Sequence, residues 1–203
     1  MSRILRKISV LTLALLIAGP IWADELAIRN CGWCHGMSGQ GYSKAPRLAG
    51  QRRDYIVNQL RAFATHQRDE TLGVKYMWNA TANLDPLTAG KLADYFSALP
   101  PEAMKDGESD LVVDGRAIFE NGVPDENIPA CQACHGPQAQ GVRALPRLGG
   151  LSFLYLKRRL EDWAQGRDLS GTPMPRIAAA LSPTQIAALA SFLSFVEVGA
   201  SER

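Results

Sequence analysis

The residues that could do chemistry fall in two short stretches. "CGWCHG" begins at Cys31 and "CQACHG" begins at Cys131, and together they use all four cysteines and two of the three histidines. Three chemistries use thiols at this spacing. A redox-active disulfide of the thioredoxin kind needs strands around it and has no use for a His after the second Cys. A four-ligand zinc site normally joins two separated knuckles, and the adjacent Cys34 and His35 could hardly both turn toward one small ion. In the third use, two thiols form thioethers to the two vinyl groups of a haem and the adjacent His reaches the iron from one face. Two matches, inside an internal repeat and using every Cys, select this third reading. Cys31, Cys34, Cys131 and Cys134 would then hold two covalently bound haem c groups, with His35 and His135 on the irons.

An electron-transfer haem needs a second axial ligand, and the chain has five Met. Met1 belongs to the leader. Met37 stands two residues past His35 and stays on that side of the ring. Met104 falls between the repeats. Met77 and Met174 remain, and the repeat pairs them, each seven residues before a matched Leu (Leu84 and Leu181). A thioether is soft, favours ferrous iron and raises the potential relative to two imidazoles. Met174 sits between prolines in "TPMP", a stiff loop suited to holding a ligand. The third His, His66, has Gly166 as its counterpart and reads as a surface residue.

The elements that position these groups repeat as well. Sliding the chain by 100 residues matches "PRL" at Pro46 to "PRL" at Pro146, then Gly50, Tyr55 and Leu60 to Gly150, Tyr155 and Leu160. Ile56, Leu60 and Phe63 form a helical stripe that Leu156, Leu160 and Trp163 repeat. Asp85-Pro86 and Ser182-Pro183 are helix starts, with the cap before a Pro at the first helical position, and predict helices over about 86–98 and 183–197. No sustained strand alternation appears. The domain reading is 24–101 for the first unit, 102–110 for a polar surface linker, and 111–203 for the second. Units this small have little core and usually rely on a staple or a cofactor.

Before the first unit, Arg3, Arg6 and Lys7 precede an apolar run from Ile8 to Ala18, and Ile21-Trp22-Ala23 ends in a small residue. That order predicts a secretory leader over 1–23, cleaved after Ala23, and a periplasmic protein. An uncleaved membrane tether is the alternative. The leader carries three of the 22 basic residues and none of the 20 acidic ones, so the remainder lies near −1 rather than +2. No basic patch points to nucleic acid.

Pro46 and Pro146 each follow their His by 11 residues. This placement resembles the class I cytochromes c, which implies that the carbonyl of each Pro accepts the imidazole N–H and orients the ring. The chain from about 26 to 197 is similar to the cytochrome c4 family, carried by "CGWCHGMSGQG", "PRLAGQ" and "MWNATANL" in the first half. In the second half the matching stretches are "CQACHGPQAQG", "LPRLGG" and "TPMPRIAAALS". The resemblance implies an all-α fold, a tandem pair of class I cytochrome c domains related by an approximate twofold. It also implies a carrier of single electrons between membrane complexes or dehydrogenases and a terminal oxidase, with redox proteins as partners and peripheral membrane association open. A haem subunit of a periplasmic dehydrogenase is the second class, and a two-haem peroxidase-like enzyme a third. One departure stands out. The second unit opens with Asp114-Gly115-Arg116-Ala117-Ile118-Phe119, whereas the first offers only Asp24 to Asn30 before Cys31, without the Gly and aromatic pair.

Overall fold

The computed structural model describes residues 19–42, 44–167 and 172–199. Most of the expected leader, residues 1–18, lies outside them. The first half contains α1 (Gly19–His35), α2 (Arg53–Ala64), a π-helical turn (Gly73–Met77), α3 (Trp78–Thr81) and α4 (Pro86–Ala98). The second contains α5 (Val112–Asn121), α6 (Gln132–His135), α7 (Phe153–Ala164), α8 (Met174–Ala180) and α9 (Pro183–Phe195). Short 3-10 turns precede α5 and α6. Among the described residues the only β pairing is an isolated bridge between Val123 and Ile128.

The helix ends follow from local chemistry. The Asp85 carboxylate accepts from the backbone N–H of Leu87 and Thr88, and Pro86 occupies the first turn, where its missing N–H costs nothing. The same helix stops at Leu99, held extended by the following Pro100. Ser182 starts α9 with a reciprocal capping box to Gln185. Helices α2 and α7 both close into a left-handed residue, His66 at φ 57 and Gly166 at φ 75. The unmatched His66 therefore stands where its counterpart uses a Gly for the same turn.

The two cores differ. In the second half Phe119, Ile128, Leu156, Ile186, Leu189 and Phe192 belong to one extended buried cluster. Helix α5 crosses α9 so closely that a Cβ on Gly115 would stand against the Ala188 carbonyl, and Phe119 meets Phe192 with ring centroids 5.6 Å apart. In the first half the buried cluster is Ile56, Leu92, Ala93 and Phe96, with Ala27, Ile28 and Cys31 of α1 laid against it. The short helix foreseen before Cys31 is instead the middle of one continuous helix. Helix α1 crosses the expected cleavage point and runs on into the CGWCH residues without a loop.

The halves meet through exchanged bonds. Arg47 donates from Nη1 to the Gly150 carbonyl at 3.1 Å, and Arg147 donates from Nε to the Gly50 carbonyl at 3.2 Å. Equivalent donors reaching equivalent acceptors in opposite directions are the mark of an approximate twofold. The 102–110 segment is on the surface, as the sequence suggests, but it is not slack. Met104 N–H donates to Gly150 O, Lys105 N–H to Ser194 O, Gly107 N–H to Ser194 Oγ and Glu108 N–H to Ser191 Oγ. The segment is a strap laid over α9.

Candidate haem-attachment sites

Each CxxCH stretch ends its helix with the His turned inward. His35 and His135 are both 7% exposed. His35 Nδ1 lies 2.8 Å from the Pro46 carbonyl, and His135 Nδ1 lies 3.0 Å from the Pro146 carbonyl. A carbonyl can only accept, so Nδ1 carries the proton in both rings and Nε2 is left with its lone pair. Burial lowers both imidazoles below their ordinary pKa, against the opposing pull of the Pro carbonyls, and so favours the neutral form that binds a metal.

The loop after each His is closed onto the same peptide. Gly41 N–H donates to His35 O and Gly141 N–H to His135 O, both at 2.8 Å. Both glycines have positive φ, and a Cβ on either would stand 2.6 Å from the carbonyl of residue 45 or 145. Only Gly lets this loop return and present the Pro carbonyl to the ring.

The four thiols are free. Cys31 packs on the first core and Cys131 on the second, while Cys34 and Cys134 are exposed. Burial raises the Cys31 thiol, with Cys34 adding to it, and pushes Cys131 up to about 11. They are therefore thiols, not thiolates, at neutral pH. Among the described residues no group of three or more His, Cys, Asp or Glu converges as a metal site, so the zinc alternative has no geometry behind it. A neutral Nε2 beside a pair of free thiols, one of them tucked against the core, is a donor set that fits haem c.

The methionines separate by position. Met37 is 49% exposed, with its sulfur against Gly32 on the outer side of α1. Met104 Sδ accepts from Arg47 Nη2 at 3.0 Å in the strap. Met174 is half-buried at the first residue of α8, follows Pro173 and packs on the second core. Met77 is half-buried at the last residue of the π-helical turn. Such a turn changes the helical phase by one residue and is frequent at functional sites. Its start is tight, since a Cβ on Gly73 would stand 2.6 Å from the Phe63 ring. The next residue, Trp78, anchors the turn by donating Nε1–H to Arg68 O at 2.8 Å, and His66 stacks on its indole at 4.0 Å. His66 is thus an exposed lid on Trp78.

Sequence reasoning missed a buried polar seam between the halves. Arg68 forks onto both Glu70 oxygens at 2.8 and 2.6 Å, and Arg159 reaches Glu70 at 3.5 Å. Arg68 Nη2 also lies 3.4 Å from the Tyr155 hydroxyl. Tyr55 is half-buried beside Tyr155, and loss of water around its phenol, with Tyr155 adding to it, holds that phenol well above the ordinary value. The matched Tyr55 and Tyr155 were a visible signal; Arg68 and Glu70, which have no repeat counterparts, gave none.

Known proteins resemble this arrangement. The family model "Cytochrome c" matches residues 112–196. The cytochrome c4 of Stutzerimonas stutzeri is 33% identical, over 87% of this chain and 89% of the relative. The thiosulfate dehydrogenase electron acceptor of Thiomonas intermedia is 34% identical, over 93% of this chain and 90% of the relative. The solved cytochrome c4 of Acidithiobacillus ferrooxidans superposes with a TM-score of 0.77 at 38% identity, covering 82% of this chain and 98% of that one. Two class I cytochrome c domains in tandem, with two haem c groups as covalent cofactors and electron transfer as the activity, place the chain in the cytochrome c4 family.

Proposed function

We propose that the protein is a periplasmic two-haem carrier that moves single electrons between respiratory complexes or dehydrogenases and a terminal oxidase. In this reading the leader is cleaved after Ala23, leaving units 24–101 and 111–203 joined by 102–110. Cys31, Cys34, His35 and Met77 would hold the first haem, and Cys131, Cys134, His135 and Met174 the second. When bound, haem c supplies one reversible one-electron site per domain. The chain does the rest. The Pro46 and Pro146 carbonyls fix the imidazole tautomer and raise ring basicity. The half-buried, proline-flanked or π-turn settings of the Met restrain the sulfur so that little would reorganise when an electron arrives. The observation that carries the reading is the pair of His–Pro bonds, the same in both halves and each leaving Nε2 free.

The acceptor role named for the Thiomonas relative supports a second reading, a haem subunit that takes electrons from a periplasmic dehydrogenase. Both readings need two low-spin haems. A redox titration of the purified holoprotein with optical detection tests them: two haems per chain, two reversible one-electron waves and a Met–iron charge-transfer band are expected. A haem that is high-spin in the wild type would overturn the carrier reading in favour of an enzyme with an open iron position. Stimulation of turnover on adding a candidate dehydrogenase or oxidase then separates the first reading from the second.

A further inference from the structure

Arg47 and Arg147 are 6% and 1% exposed, and among the described residues their guanidinium bonds go to carbonyls and a sulfur rather than to a carboxylate. Arg147 spends its guanidinium on carbonyls, with Nε on Gly50 and Nη2 on Ala49 of the other half and Nη1 on Gly149 of its own. Arg47 donates from Nε to Gln40 O, from Nη1 to Gly150 O and from Nη2 to the Met104 sulfur. Its nearest opposing charges, Glu102 and Asp106, act from the strap. Burial, with the facing Arg47 charge, draws the Arg147 guanidinium below the ordinary arginine value.

Two buried like charges facing each other across an interface cost stability, because burial strips their hydration and only Arg47 has opposing charges near it, Glu102 and Asp106 in the strap. Carbonyls could have been satisfied as well by neutral amides. Both copies of the repeat nonetheless place an Arg here, next to the Pro whose carbonyl holds the ring of the haem His. Each guanidinium therefore ties its own His-bearing loop to the backbone of the other domain. Gln51 completes the link: its Nε2 donates to Arg147 O at 2.9 Å and its Oε1 accepts from Arg147 N–H at 2.7 Å. A residue of the first domain thus grips the peptide that follows Pro146. A fixed positive charge near a haem also disfavours the ferric state, which carries one more positive charge than the ferrous.

We propose that Arg47 and Arg147 are positioning residues that raise the potentials of both haems and couple them, each acting across the interface as well as within its own domain. This rests on the carrier reading above. The test is a redox titration of full-length holoprotein carrying Arg47→Met, Arg147→Met, both together, Arg147→Lys or Gln51→Ala, with haem content and denaturation midpoint measured alongside. Each Met substitution is expected to lower both potentials. At a fixed solution poise the ferrous-to-ferric ratio falls roughly threefold or more in the substituted domain, and by a smaller measurable factor in the other. The double variant departs from the sum of the singles. Arg147→Lys keeps the charge and recovers much of the shift. Gln51→Ala, which leaves both guanidinium charges in place, shifts the second haem although the substitution lies in the first domain. Potentials that stay fixed while stability falls would reduce the pair to a structural contact and overturn the proposal. So would shifts confined to the substituted domain. If Arg147→Met yields no folded protein, Arg47→Met and Gln51→Ala decide alone. A wild type without two reversible waves would defeat the carrier reading; two waves indifferent to these variants would defeat only this inference.

Discussion

The two domains solve one problem with unequal means. In the second, a separate helix α5 lies across α9 through Gly115, and a loop containing the buried Ile128 leads to the CxxCH turn. In the first, α1 is one continuous helix that runs into the CxxCH residues, and among the described residues no separate helix takes the place of α5. Trp33 is consequently 88% exposed where the second domain has Ala133. The loop that presents the Pro carbonyl is nevertheless the same in both. The difference shows that the haem-facing loop is the invariant part of the unit, while the helices behind it set how firmly it is held.

The largest test of this comparison removes the ligand. His35→Ala and His135→Ala should each leave one haem poorly incorporated, read as a fall toward one haem per chain in the purified protein. The first domain, with the smaller core, should also lose its helical circular dichroism. Equal retention of structure in the two variants would break the contrast. Next comes the core. Phe119→Ala should cost about 3–5 kcal/mol in chemical denaturation of the second domain. Ile28→Ala on half-buried α1 should cost about half as much, because less apolar surface leaves water there.

The same imbalance should appear in ligand exchange. With a lighter core, the first domain should open locally more often, so haem 1 should bind carbon monoxide or cyanide faster than haem 2 in stopped-flow mixing. Met77→Ala should make haem 1 bind faster still, and a wild-type haem 1 slower than haem 2 would reverse the comparison. Acid should instead treat the two domains of the haem-free protein alike, because no iron then occupies either imidazole. Both His are held neutral by burial, so below about pH 6.5 the unfolded chain binds more protons than the folded one. Stability is then full above that pH and falls in both domains as pH drops through the window beneath it, measurable as denaturation midpoints at successive pH values. Smallest of all, Asp85→Ala and Ser182→Ala should each cost about 1 kcal/mol.

Much of this is legible in the amino-acid sequence. The CxxCH spacing, the repeat, the Pro at 11 residues and the caps at Asp85 and Ser182 are local signals, and each is found where local chemistry requires it. Three features were not legible. The π-helical turn before Met77 depends on a close approach of Gly73 to Phe63 that no spacing reveals. The merger of the opening helix with CGWCH depends on the absence of a loop, which sequence showed only as shortness. The buried Arg68–Glu70 pair meets Tyr155 and Arg159 across the boundary, Arg47 and Arg147 bond to the opposite backbone, and charged residues read singly look like surface. The matched Arg47 and Arg147 were visible only as repeat markers.

The strap changes where the chain could be divided. Although 102–110 separates the repeats, its backbone from Met104 to Glu108 is bonded to the second domain: a Cβ on Gly107 would stand 2.6 Å from the Ser191 Cα, and Asp106 accepts from the Phe153 N–H at the start of α7. A second domain cut free at residue 111 would leave the Ser191 and Ser194 hydroxyls and the first turn of α7 without these bonds. A cut at Pro101 would keep them. The seam between the two evolutionary copies and the seam between the two folded bodies therefore lie at different places, and any fusion, swap or circular permutation of this cytochrome has to respect the second.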